Sequence, residues 1–265
     1  MGGLAGTTLR AAYGLYAAVA FLALGLTALV ATLALPGMHR RRAAARALAR
    51  SYLWVAGMPL TVRGIEQLAP GQCIVVANHA SYLDGLVFTA ALPARFGFVI
   101  KREMSAVPLA GLFLRRIGSE FVERFDRHRG AADARRVLRN AASGHSLVFF
   151  PEGTFTHAPG LLKFHTGAFV TAARAGCPVI PAVVRGTRAA LPPSGGLPRP
   201  GRIEIDFLPA IHAQPQAQEA ASMTLRDRAR QAILQALGEP DLTCCGDSGH
   251  PPHTEHARSD RASSS

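Results

Sequence analysis

An uncharged, strongly apolar run near the N-terminus, residues 11–35, constrains this chain more than any other feature. A helix of that length measures about 37 Å, which exceeds the roughly 30 Å of a bilayer's hydrocarbon core. Tyr13 and Tyr16 near its start are typical of membrane interfaces. Arginines follow the run in place of a small-residue cleavage site, which disfavours a signal peptide. Residues 1–37 are therefore predicted to be a transmembrane helix, with an interfacial helix as the open alternative.

Residues 38–57 are predicted to form a second helix, basic on one side and apolar on the other, with Trp54 at an interface. Two placements stay open for it: along an anionic membrane surface, or packed on the domain that follows. One arginine precedes the apolar run, and five follow it before residue 51. This asymmetry places the rest of the chain on the cytoplasmic side of the cell membrane. The five are Arg40, Arg41, Arg42, Arg46 and Arg50.

The chain carries a formal net charge of +12, and arginine supplies nearly all of its basic groups, since Lys101 and Lys163 are the only lysines. Such a balance suits nucleic acid, an anionic membrane or an acidic substrate. The arginines cluster beside the apolar run and no nucleic-acid-binding motif occurs, so an anionic membrane is the expected partner and nucleic acid is not. The four cysteines show neither metal-ligand spacing nor a disulfide framework, which indicates a reducing compartment.

From Leu60 onward, short apolar runs alternate with helical stretches. This alternation predicts an α/β domain, with a mixed sheet covered by helices, over residues 58–238. Residues 239–265 lack apolar periodicity and are predicted to be a disordered tail. The predicted strands are 60–65, 74–77, 96–100, 121–124, 146–150, 179–184 and 203–208. The predicted helices of the domain are 84–92, 108–116, 129–142, 165–175 and 220–237.

A histidine and a carboxylate lie where the second predicted strand gives way to a helix. His79 and Asp84 are five positions apart, so on one continuous helix their side chains would point apart. Residues 78–81 have turn chemistry and would let them meet. The carboxylate would then hold the imidazole in one tautomer, and the other ring nitrogen could take a proton from a hydroxyl. Ser81 and Asp84 also fit a capping box, which is the structural alternative.

Polar residues also follow other predicted strands. Glu152 and Gly153 follow the strand at 146–150, and Arg124 ends the short strand at 121–124. Ligands bind at strand ends in α/β sheets, and an arginine there suits bidentate phosphate binding. An ordinary strand exit and a surface arginine are the alternatives.

Four blocks, in this order, make the chain resemble the glycerolipid acyltransferase family typified by bacterial 1-acylglycerol-3-phosphate acyltransferase. Residues 78–84 match the family's His-x4-Asp box, and residues 101–124 match its second block. Residues 150–154 match the third block, and residues 179–183 match the proline-centred fourth. The resemblance covers about residues 57–210.

The resemblance implies acyl transfer from acyl-CoA or acyl-carrier protein to the hydroxyl of a lysophospholipid, in phospholipid biosynthesis, without a cofactor or metal. His79 is implied as the general base and Asp84 as its orienting partner. The substrate supplies the alcohol, so no acyl-enzyme is required. Ser81 lacks a nucleophile-elbow sequence around it. The residues implied in substrate binding are Lys101, Arg124, Glu152, Gly153 and Thr154.

One position departs from the family pattern. The third block usually continues with an arginine, and this chain has Phe155 there. The expected acceptor is 1-acylglycerol-3-phosphate, but the lost guanidinium leaves a bulkier headgroup open. A membrane-anchored lipid-binding protein without catalysis and a lipase are the function classes that compete with acyl transfer.

Overall fold

The computed structural model describes residues 2–68, 70–123, 127–194, 196–214 and 217–243. They form a seven-stranded mixed sheet with helices on both faces, which confirms the predicted α/β class. The strands are β1 (Leu60–Arg63), β2 (Ile74–Ala77), β3 (Phe96–Lys101), β4 (Glu120–Val122), β5 (Ser146–Phe149), β6 (Val179–Arg185) and β7 (Ile203–Phe207). The helices are α1 (Gly2–Ala34), α2 (Met38–Val55), α3 (Leu83–Ala91), α4 (Ala110–Arg116), α5 (Arg127–Ala142), α6 (Gly167–Ala175), α7 (Thr187–Ala190) and α8 (Gln218–Leu237).

The strand order explains why distant parts of the sequence meet. The order is β1-β7-β6-β2-β5-β3-β4, with β2 in the centre. Strands β2 to β6 are mutually parallel, and β7 runs antiparallel to β6 with β1 parallel to it. The carboxyl ends of β2, β3, β4 and β5 therefore lie at one edge of the sheet. Lys101 is the last residue of β3, and the other predicted site residues follow β2, β4 and β5.

The core lies on both faces of the sheet, as the continuous apolar run of β2 requires. Val75 and Ala77 face the cluster that packs against α2 and α3. Ile74 and Val76 face the cluster beneath α5, α6 and α8. All four residues are fully buried. Because β2 is enclosed on both sides, the turn that follows it is held on a rigid support.

Helix α1 is the one described helix long and apolar enough to cross a membrane, and it packs along α2 as an antiparallel hairpin. At one end, the hydroxyls of Tyr13 and Tyr16 donate to the carbonyls of Ala56 and Val55. At the other end, Arg116 donates to the carbonyls of Thr32 and Leu33 in the last turn of α1, and Arg41 donates to that of Leu35, just after the helix. These contacts place α1, from Tyr13 to its end, beside α2 and α4.

Helix α2 packs on the domain, which is one of the two placements left open by the sequence, and Arg40 and Arg50 stay exposed on its outer side. Tyr52 and Leu53 are buried in the core, whereas Trp54 is 83% exposed. The guanidinium of Arg42, expected to face headgroups, turns inward. It donates to the carbonyls of Arg95, Ile117 and Gly118, and burial lowers its pKa.

The domain continues past the predicted boundary at Gly238. Glu239 pairs with Arg188 at 2.7 Å, and Asp241 forms a two-pronged ion pair with Arg230. The sequence reading missed these contacts because charged residues near a polar tail resemble the tail itself. The rest of the predicted tail, residues 244–265, lies outside the described part of the chain.

Arg42→Ala is expected to lower the free energy of unfolding by about 1–3 kcal/mol, because three carbonyls lose their donor. Arg42→Lys should recover little of this, since one ammonium cannot replace a guanidinium fork. Denaturant titration in detergent measures both. Arg40→Ala, at an exposed position two residues earlier, is the matched control and should change stability by less than about 0.5 kcal/mol. Equal effects of the Arg40 and Arg42 changes would contradict the role of Arg42 in docking α2.

Candidate active site

The turn after β2 brings His79 and Asp84 together, as the sequence predicts. The Nδ1 atom of His79 lies 2.7 Å from Oδ2 of Asp84. The Asp84 side chain is fully buried, and that of His79 is 20% exposed. An ionised carboxylate only accepts hydrogen bonds, so Nδ1 carries the proton and Nε2 is left as a proton acceptor. The pair thus has the arrangement of a general base with its orienting carboxylate.

The capping-box contact between Ser81 and Asp84 and the contact between Asp84 and His79 occur together, so the two interpretations of Asp84 do not exclude each other. Oδ2 of Asp84 also accepts the backbone N–H groups of Ala80 and Ser81, at 2.7 and 2.9 Å. Both donors belong to the turn before α3, which begins at Leu83. One carboxylate oxygen therefore ties this turn to the first turn of the helix and also holds the imidazole. The other oxygen, Oδ1, is buried and has no hydrogen-bond partner within the described residues.

Two buried side chains tie this turn to β6 and to the loop after α7. The amide of Asn78 donates to the carbonyl of Val184 at 3.0 Å and accepts its N–H at 2.8 Å. The Ser81 hydroxyl donates to the carbonyl of Leu191 at 2.7 Å and accepts the N–H of Leu83. The sequence indicated only turn chemistry at both positions, because their partners lie more than 100 residues away. Ser81 is fully buried, so its hydroxyl supports the turn and is not presented to a substrate.

Glu152 approaches His79 from the end of β5. Its Oε1 accepts the backbone N–H of His79 at 2.6 Å, and its Oε2 accepts that of Leu162 at 2.8 Å. Gly153 follows with φ +77°, a left-handed conformation that lets the chain leave β5 sharply. The Glu152 side chain is 4% exposed. Both carboxylate oxygens of Glu152 thus support the backbone around the site, and its expected contact with the acceptor stays a prediction.

Burial raises the pKa of the Glu152 carboxyl from 4.5 to about 7, despite the two backbone N–H groups and His79, which lower it. The loss of hydration destabilises the charged carboxylate more than those hydrogen bonds and the His79 ring stabilise it. The pKa of this carboxyl therefore lies near neutral pH.

Aromatic rings surround the imidazole. Phe150 stacks on the His79 ring with centroids 4.6 Å apart. Phe155 meets it edge-on, also at 4.6 Å, and contacts Tyr82 at 4.8 Å. Both phenylalanines belong to the third block, but strand and loop periodicity gave no signal that they would reach His79. Phe155, at the position where the family usually has arginine, is thus part of the wall beside the base.

Of the three remaining predicted binding residues, Lys101 and Thr154 lie in the described part of the chain. Lys101 ends β3 at the same edge of the sheet and lies 3.3 Å from the Glu103 carboxylate. Thr154 is exposed in the loop after Gly153. Arg124 follows β4 but lies outside the described residues, so its expected phosphate contact stays a prediction.

The neighbouring Arg102 has a structural role that the sequence did not reveal. It forms a two-pronged ion pair with Asp133 of α5, and Asp133 also accepts the N–H of Glu123. Burial alone would raise the pKa of the Asp133 carboxyl, but these contacts hold it below its usual range.

Across the part of the chain that the structure describes, no three His, Cys, Asp or Glu side chains are placed to hold a metal.

Comparison with solved structures gives the class of fold. The fold matches the crystal structure of the 1-acyl-sn-glycerophosphate acyltransferase of Thermotoga maritima with a TM-score of 0.68, over 86% of this chain and 95% of that one. Sequence identity between the two is 18%, so this likeness concerns the fold.

Sequence comparisons give the family. The Acyltransferase family model matches residues 59–185. A 1-acyl-sn-glycerol-3-phosphate acyltransferase of Chlamydomonas reinhardtii is 33% identical over 187 residues, which is 69% of this chain and 54% of the relative. The human lysophospholipid acyltransferase LPCAT4 is 30% identical over 190 residues, 64% of this chain and 34% of the relative. The chain belongs to the glycerolipid acyltransferase family, and it spans about half the length of the first two curated relatives it matches.

Glu152 generates a pH prediction. A carboxyl whose folded pKa exceeds its unfolded value binds its proton more tightly when folded, so stability is fully present below pH 4.5 and is lost as pH rises through about 7. The loss should approach about 3 kcal/mol. Denaturant unfolding between pH 5 and 8 measures it, and the difference between wild type and Glu152→Gln isolates it, because the amide does not titrate. Identical pH slopes for the two proteins would refute the assignment.

Proposed function

We propose that this protein transfers an acyl group from acyl-CoA or acyl-carrier protein to the free hydroxyl of a lysophospholipid. The proposed acceptor is 1-acylglycerol-3-phosphate, and the product is phosphatidic acid. The observation that carries the proposal is the His79–Asp84 pair, in which Nδ1 is held at 2.7 Å and Nε2 remains the proton acceptor. Membership of the glycerolipid acyltransferase family supports the choice of reaction.

The reaction follows from what each side chain offers. Nε2 of His79 takes the proton of the acceptor hydroxyl as its oxygen attacks the thioester carbonyl. Asp84 stabilises the imidazolium that forms. When the tetrahedral intermediate collapses, the C–S bond breaks, an oxygen ester remains, and the proton passes from His79 to the leaving thiolate. The rings of Phe150 and Phe155 shield the imidazole from water, which favours transfer over hydrolysis.

The state of Ser81 weighs against a lipase mechanism. A lipase needs a nucleophile of its own, and the Ser81 hydroxyl is buried and bonded to the Leu191 carbonyl at 2.7 Å. An alcohol supplied by the substrate removes the need for a serine.

The same proposal places the protein at the cytoplasmic face of the cell membrane, with α1 lying within one leaflet. From Tyr13 to its end, α1 runs alongside α2, which carries five arginines. Crossing the hydrocarbon core would draw those arginines in at several kcal/mol each. The face of α1 turned away from α2 is an exposed apolar stripe that lipid would cover. This stripe contains Leu15, Val19, Leu22, Leu26, Val30 and Leu33.

Flotation with anionic vesicles tests the placement. The intact chain should float at both low and high salt, because apolar burial is not screened. A chain lacking residues 1–37 should float only at low salt, where arginines still attract anionic lipid. Accessibility of the intact α1 to a membrane-impermeant reagent on the far side would instead establish a span.

His79→Ala should abolish acyl transfer while the protein stays folded, because the base acts in the transition state. The measurement is release of free thiol from acyl-CoA with lysophospholipid present, together with thermal unfolding. His145→Ala, at an exposed position before β5, is the control and should retain activity. Near-wild-type thiol release by His79→Ala would show that His79 is not the base.

Phe155 generates a prediction about the acceptor. Phe155→Arg adds the guanidinium usual in the family, which binds a phosphomonoester well. If the native acceptor is 1-acylglycerol-3-phosphate, kcat/KM for it should be kept or raised relative to an acceptor with a zwitterionic headgroup. Phe155→Leu is the control for losing the ring against His79 without gaining charge. An unchanged ratio of kcat/KM for the two acceptors would remove Phe155 from headgroup selection.

A further inference from the structure

A groove of about 520 Å³ lies between α2 and the edge strand β1. One wall is formed by Arg46, Arg50 and Trp54, and Leu60 and Val62 of β1 line the opposite side. Its volume falls within the roughly 300–1,000 Å³ typical of small-molecule sites. We call it the α2–β1 groove.

The α2–β1 groove is separate from the His79 site. Its floor includes Ala90 and Ala91, which end α3, whereas Asp84 begins it. Six residues of helix between Asp84 and Ala90 amount to about 9 Å. Across the sheet, β1 lies three strands from β2, or about 14 Å. A ligand seated in the groove would therefore not need the acyl-transfer machinery.

The two ends of the groove differ in chemistry. Arg46, Arg50 and Trp54 are spaced by four residues, so they share one face of α2. Within the described part of the chain neither arginine forms an ion pair, and Nε of Arg46 is buried without a hydrogen-bond partner. Beyond the arginines the walls are apolar, and Ile65 there is 41% exposed. A cationic end that continues into an apolar trough matches an anionic headgroup with one acyl chain.

We propose that the α2–β1 groove binds an anion-headed, single-chain lipid. The carboxylate or phosphate bonds to the guanidinium groups of Arg46 and Arg50, and the acyl chain lies along Trp54 and the side chains of Leu60 and Val62. Binding would pair the guanidinium charges of Arg46 and Arg50 and remove exposed apolar surface from water. The groove opens beside the α1–α2 hairpin, so a lipid could enter directly from a bilayer that covers α1.

Trp54 is the single tryptophan of the chain, so its fluorescence reports the groove without any added label. The probe is a fatty acid with a dibrominated chain, added to detergent-solubilised protein, because bromine quenches a tryptophan that it contacts. A fatty acid has no hydroxyl to accept an acyl group. Quenching should saturate with one fatty acid per protein, and His79→Ala should leave the Kd unchanged. A Kd altered by His79→Ala would place the probe at the active site and overturn the proposal.

Two pairs of variants separate headgroup from chain. Arg46→Gln with Arg50→Gln should raise the Kd of the acid about tenfold or more, the equivalent of one lost charged hydrogen bond. The same change should leave a dibrominated fatty alcohol, which is neutral, nearly unaffected. Val62→Phe should fill the groove and weaken both probes, whereas Thr61→Phe, on the other side of β1, should not. Unsaturable quenching that ignores Val62→Phe would show that Trp54 merely touches detergent, and the proposal would fall.

A phosphate-headed single-chain lipid is the last arm of the test. Monoacylglycerol phosphate should compete with the brominated acid at the groove in the His79→Ala variant, and neutral monoacylglycerol should compete about tenfold more weakly, because it lacks the anionic headgroup. Competition by free inorganic phosphate alone, with no dependence on the chain, would identify an anion site and contradict a lipid site.

Discussion

The candidate site depends on one buried oxygen, Oδ2 of Asp84, which gathers three donors: the imidazole Nδ1 of His79 and the N–H groups of Ala80 and Ser81. The backbone donors fix where α3 begins, and the imidazole donor fixes the tautomer. Helix geometry and base chemistry therefore cannot be altered separately, since an amide in place of the carboxylate would disturb both. Because hydrogen bonds to a charged acceptor are strong in a buried setting, this single atom orders the chain over residues 79–84.

Much of the architecture could be predicted because its signals are local. Strand β2 is bounded as the sequence indicated, and the His79–Asp84 contact needed only a turn of favourable composition. The support for that contact could not be predicted, because Glu152 and Leu191 reach it across 73 and 110 residues. The periodicity of the chain does not predict that β2, β5 and β6 are neighbours in the sheet. These supporting contacts form only because the three strands lie side by side.

The directions in which the arginines of α2 point were also not predictable from the sequence. Five arginines in eleven residues favour a charged surface, yet Arg42 is turned toward three carbonyls of the domain. A guanidinium can serve either a headgroup or the unsatisfied end of a secondary-structure element, and composition does not distinguish the two. Arg40 and Arg50 remain exposed, so the helix divides its basic residues between the inside and the outside.

The ends of the α1–α2 hairpin carry a consequence for its depth. A helix terminus normally leaves several carbonyls that water must solvate, and this is what keeps broken helices out of hydrocarbon. Here Tyr13 and Tyr16 cover carbonyls at the end of α2, and Arg41 with Arg116 cover those at the end of α1. The hairpin is thus partly insulated against a medium of low dielectric constant, and the depth it can reach is set by its charged side chains more than by its backbone.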